Sequence, residues 1–113
     1  MYKITEAKYE PENFFAGSFP IAKDTGKVKN NAKIRRLAPL CQDEDGIEEA
    51  GENTLDNLIG IAAAEPSGEE VVYYLTGEFF AQAIALPEGV TTEVLKPAFR
   101  KLGIFLKELN QNG

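Results

Sequence analysis

The chain has 113 residues, 43% of them apolar and 27% charged, with a formal net charge of −6. That composition fits one small globular domain and excludes both a two-domain chain and a disordered one. Histidine is absent and Cys41 is the single cysteine, which removes His-based triads, His- or Cys-ligated zinc and any intramolecular disulfide framework.

The opening MYKITEAKYEPEN lacks the apolar core of a signal peptide, and no apolar run approaches the ~20 residues of a membrane span. Residues 1–32 show neither helical nor strand periodicity. Pro11, Gly17, Pro20 and Gly26, with turn-like DTG and KNN clusters, make this stretch read as an extended N-terminal arm. The arm nevertheless concentrates Phe14, Phe15 and Phe19 in FFAGSFP. Either these rings close over the domain's own core, or the arm packs on another chain, for instance by adding a strand to a sheet edge.

Residues 33–113 form the expected domain. KIRRLAPLC is a short strand-like burst broken by Pro39, which points to an edge or a bend. DEDG (43–46) and GENTLDN (51–57) are turn and loop signals. LIGIAAA (58–64), the turn EPSGE (65–69) and VVYYLTGEFF (71–80) predict two adjacent strands with a tight connection. AIALP (83–87) reads as a further short strand ending in a Pro-Glu-Gly turn. Thr91 or Thr92 can cap a helix running to about Leu102, with Glu93 in its first turn and Arg100 and Lys101 in its last. Pro97 fits the first turn only if that helix starts as late as Lys96. Gly103 closes it, and IFLKEL (104–109) is a final strand. The fold class expected is mainly β with one short C-terminal helix.

Charge is distributed unevenly. Lys23, Lys27, Lys29, Lys33, Arg35 and Arg36 make a basic stretch, whereas 41–95 contains no Lys or Arg and many acids. A nucleic-acid tail is one reading, but no aromatic interleaves Lys23 to Arg36 and the acidic body repels phosphate. A solvated face is another, and a salt-sensitive subunit contact a third.

Catalytic chemistry is thinly represented. The glycines form no phosphate-binding motif, and DEDGIEEAGE lacks the calcium-loop register. Ser18 and Ser67 have no histidine to activate them, and Cys41 reads as a buried core residue. The expectation is a non-enzyme with no catalytic residue, metal or cofactor.

Taken in order, LIGIAAAEPSGEEVVYYLTGEFFAQAIALP, the short helix and FRKLGIFLKEL resemble the head decoration proteins of lambda-like tailed phages. The shared features are a Gly-centred strand at Ile59-Gly60-Ile61, a hairpin, a strand at Tyr74 to Phe79, and an apolar segment leading to the C-terminal helix and strand. YEPENFFAGSFP is similar to the arm of many relatives. The resemblance implies a β-clip-like fold and a homotrimer on the outer surface of the expanded capsid, made in the host cytoplasm. It also implies that the protein stabilises the head against DNA pressure, with its arm on the major capsid protein. Carried over, the capsid-binding residues are Tyr9, Phe14, Phe15, Phe19 and Pro20, with no direct nucleic-acid or membrane partner. The alternatives are another virion structural role, such as a head-fibre base or tail component, and a small ligand- or carbohydrate-binding β domain with a pocket around Tyr73 and Tyr74.

Overall fold

The computed structural model describes residues 20–108. In chain order these form β1 (Ala22–Lys27), β2 (Pro39–Asp43), β3 (Gly46–Glu49), β4 (Leu58–Ala62), β5 (Glu70–Phe80), α1 (Thr92–Arg100) and β6 (Ile104–Lys107). The described chain is therefore mainly β with a single short α-helix near the C-terminus, as the sequence predicts.

The strands lie in the order β1-β5-β4-β2-β3, every neighbour along that path antiparallel, while β6 runs parallel to the C-terminal half of β5. Turn chemistry fixes the hairpins. Between β2 and β3 the Asp43 carboxylate accepts from the Asp45 amide at 2.8 Å, and Gly46 takes φ +131°. Between β4 and β5, Ser67 and Glu70 exchange backbone hydrogen bonds of 2.9 and 3.2 Å around Gly68 at φ +64°. A parallel neighbour cannot be reached by a hairpin, so α1 sits in the crossover from β5 to β6.

The two ends of the sheet meet. The Lys29 amide donates to the Ile47 carbonyl at 2.8 Å, and Val28 makes a parallel bridge with Ile47. The sheet thus rolls into a small barrel closed by a narrow seam. Strand alternation then sorts the apolar residues. Val28, Ile34, Leu40, Ile47, Ala62, Val71 and Tyr73 form one buried cluster. Their chain neighbours Cys41, Ile61 and Tyr74 face the other way, joining Phe79, Leu95, Phe99 and Ile104 in a second cluster beneath α1. Phe79, Phe99, Leu40, Ile47, Ile61, Leu95 and Ile104 are fully buried, each contributing roughly 1.5–3 kcal/mol of transfer free energy.

Three local expectations need correction. Residues 20–32, read as arm, contain β1, which pairs with β5 from Ala22 to Lys27. Its sequence AKDTGK is exposed at five of six positions, so the backbone ladder holds it and no apolar alternation announces it. Residues 83–87 are not a strand: a 3-10 turn at Ala81–Ala83 is followed by irregular chain, with Ala81 and Ile84 filling the helix-side core. The strand expected from Lys33 starts only at Pro39, because Lys33 to Ala38 are irregular chain with a turn at Arg36 and Leu37, the latter at φ +65°. The helix begins at Thr92 behind a Thr91 cap, as the sequence predicts. Its Thr91 cap accepts from the Val94 amide at 3.4 Å, Leu95 and Phe99 are its buried face, and Pro97 lies in its interior. Pro97 is exposed, and the missing amide there removes only the bond to the Glu93 carbonyl.

Candidate functional site

Of the arm residues singled out by the sequence, Tyr9, Phe14, Phe15 and Phe19 lie outside the described residues. Pro20 lies within them and is exposed. The structure gives the geometry by which the chain enters the sheet there. Thr76, on β5, donates its hydroxyl to the Pro20 carbonyl at 2.9 Å and accepts from the Ala22 amide at 3.1 Å. The β1–β5 register shifts between Ala22 and Lys23, so the hydroxyl takes the place of a ladder bond at an irregular point. The Lys23 ammonium stands 5.8 Å from the centroid of the Tyr74 ring, a cation–π approach on the same strand pair. Beside this junction Ile21 is 46% exposed.

The basic stretch finds part of its partnership within the chain. The Lys29 ammonium sits 2.9 Å from Asp43 and 3.1 Å from Glu48, at the two sides of the β2–β3 hairpin. Arg35 forks onto Glu49 through Nη2 at 2.9 Å and Nε at 3.0 Å, its own amide adds a third bond of 2.8 Å, and Nη2 also reaches the Leu86 carbonyl at 3.2 Å. Hydrogen bonding to Asp43, then to Glu48, raises the Lys29 pKa above the ordinary lysine value. Reciprocally, the Lys29 ammonium and then the Asp45 amide hold the Asp43 carboxyl below the usual carboxylate range. Lys29 and Arg35 therefore fasten the loop after β1 to the chain's own acidic hairpin. Lys27 and Lys33 are exposed.

Sequence reasoning missed Thr76 and the Arg35–Glu49 fork. Nothing local marks either: Thr76 is one Thr in a β-rich run, and the fork joins residues on separate elements.

Cys41 is buried, and burial pushes its thiol pKa up. No group of three or more His, Cys, Asp or Glu suited to a metal ion occurs among the described residues. Tyr73 and Tyr74 are buried among the described residues and line none of the depressions described below. They are 6% and 7% exposed and belong to the two opposite core clusters, and desolvation raises both phenol pKa values. The surface depressions are formed by other residues. One of about 390 Å³ is polar, with Lys27, Lys29, Asn30, Asn31, Asp45 and Glu69 on its walls. Another of about 340 Å³ runs between α1 and the 3-10 turn at Leu55–Asn57, over Leu58, Val94, Pro97 and Leu102. No described helix is long and apolar enough to cross a membrane.

No protein-family model and no curated protein matches the chain.

Proposed function

We propose that this chain is a phage capsid decoration protein, a homotrimer that binds the outer surface of the expanded head and stabilises it against the pressure of packaged DNA. The observation that carries the reading is the order of elements from β4 to β6. A Gly-centred strand, a tight hairpin, a long strand through Tyr74 to Phe79, an apolar segment, a short helix and a final strand follow one another. That is the order on which the resemblance to lambda-like decoration proteins rests. Gly60 supports it further, since a Cβ there would meet the Tyr74 carbonyl oxygen, as expected of a strand glycine in close backbone approach.

In this reading the N-terminal segment contacts the major capsid protein, with Tyr9, Phe14, Phe15, Phe19 and Pro20 as its anchors. The Thr76 bonds at Pro20 and Ala22 give that segment a fixed root on β5. The mechanism is mechanical and needs no catalytic step, metal or cofactor. A trimer that bridges several capsid subunits turns a modest affinity per contact into avidity, because the second and third contacts form at high effective concentration. The burial of Tyr73 and Tyr74 weighs against the ligand-pocket alternative.

Co-sedimentation tests the proposal. The purified protein is mixed with expanded, undecorated heads and with unexpanded precursors of the phage that encodes it. Saturable binding to expanded heads alone is expected, and absence of binding to them overturns it.

A further inference from the structure

The barrel seam is unlike the other strand contacts. β1 meets β5 along its whole length, whereas against β3 the chain just after β1 forms one isolated bridge, Val28–Ile47, with the Lys29 amide donating to Ile47. Two glycines permit the approach. A Cβ at Gly26 would strike the Ile47 side chain, and one at Gly46 would lie 2.8 Å from the Lys29 nitrogen. Over this seam lies the Lys29 ammonium between Asp43 and Glu48, with side chains 28%, 42% and 36% exposed. Behind it are Ile47, fully buried, and Val28, 9% exposed.

We propose that the Lys29–Asp43–Glu48 cluster is a releasable clasp: acid or salt opens the β1–β3 seam locally, while the β1–β5 ladder and the helix-covered core stay closed. The seam is a single isolated bridge where the β1–β5 ladder pairs six residues, so it is a weak place at which the barrel can open. Its ionic part is exposed, so salt screens it and protonated carboxylates cannot serve it. The other charged groups around Lys29, all on the same depression, are Lys27, Asp45 and Glu69. They add one positive and two negative charges, but only Asp43 and Glu48 form ion pairs with the Lys29 ammonium, so these two decide the outcome. Opening would give access to the inner cluster through Val28 and Ile47 without unfolding the body. The inference rests on the fold alone and stands whether or not the chain decorates a capsid.

Adjacent amides make the test internal. The Lys29 amide donates across the seam to Ile47, whereas the Val28 amide donates to Glu69 on the other side. Hydrogen exchange is measured on the full chain, comparing the native protein with an Asp43→Asn, Glu48→Gln double variant, which keeps Lys29. A second comparison is low salt against about 0.5 M NaCl, where the Debye length is only ~4 Å. Protection of the Lys29 amide should fall about three- to ten-fold in the variant and in salt, as expected for two exposed ion pairs, with Val28 unchanged. Equal loss at both amides means that the ion pairs support the whole sheet and not the seam, and overturns the proposal. So does no loss at Lys29.

Discussion

The rings of Tyr74 and Phe79 pack with centroids 5.3 Å apart and planes inclined at 56°, although they stand five residues apart on one strand. In regular β structure an odd separation puts two side chains on opposite faces. Gly77, between them, takes φ +148° and resets the alternation, so that both rings enter the cluster beneath α1. It is also where β5 passes from its β1 and β4 neighbours to β6.

Gly77→Ala should therefore cost more than an ordinary strand Gly→Ala. The backbone angle is one that L side chains rarely adopt, and the new Cβ would lie 3.0 Å from the Phe79 ring. A loss of about 1–3 kcal/mol is expected from the strain. Urea unfolding measures it, and a stability equal to the native protein's would contradict this account of the switch.

Gly60→Val should be worse than any single Glu→Gln between 43 and 52. Its added side chain meets backbone, the Tyr74 carbonyl, which cannot rotate away. Replacing Glu44, which is exposed, should change stability by no more than about 0.5 kcal/mol. Thermal melts rank these variants directly.

Stability should depend on the Lys29–Asp43 pair only within a pH window. The Asp43 carboxyl has a folded pKa below its unfolded value, so its contribution is complete above about pH 4 and is lost as pH falls through the folded value. The Lys29 pKa is raised, so its contribution is complete below about pH 10 and is lost as pH climbs through the folded value. The difference in urea midpoint between the native protein and Asp43→Asn should be constant across the neutral range and vanish in acid. A difference that persists below pH 2 would be inconsistent with the pairing.

The Cys41 thiol should react with a thiol reagent at the rate of opening, not at the rate of a free thiolate. It is buried and its pKa is raised, and its sulfur stands 3.9 Å from the Glu49 carbonyl oxygen. Labelling should follow the urea unfolding curve. Fast labelling of the native protein would show that the site is open.

Deleting residues 1–20 should leave the body folded, because β1 starts at Ala22 and Thr76 loses only the Pro20 carbonyl. Under the decoration reading the truncated protein no longer binds expanded heads. Unchanged co-sedimentation would move the binding surface to the barrel.

The sequence made some of these elements easy to read. The β4–β5 hairpin was legible because LIGIA and VVYYL are apolar and β-branched on either side of a Pro-Ser-Gly turn, and the Thr91 cap because a hydroxyl precedes a helical apolar face. β1 was not legible, since AKDTGK buries almost nothing and is defined by a partner strand far along the chain. The same reason hid the pairing of Lys29 and Arg35 with the acidic hairpin: charge complementarity was visible, but not that one chain would satisfy it. Of the candidate anchors only Pro20 falls among the described residues, where it is exposed.

The pairing of β1 with β5 also sets an order of events during synthesis. Ala22 leaves the ribosome long before Thr76, and its ladder cannot form until β5 has been made. The first of the described strands is thus among the last of them to dock, while β2, β3 and β4 can pair with one another as they emerge. A strand left without a partner is ordinarily an aggregation hazard. AKDTGK carries two lysines, an aspartate and a glycine and no large apolar side chain. The polarity that conceals this strand from a reader of the sequence lets the nascent chain hold it safely in water until its partner arrives.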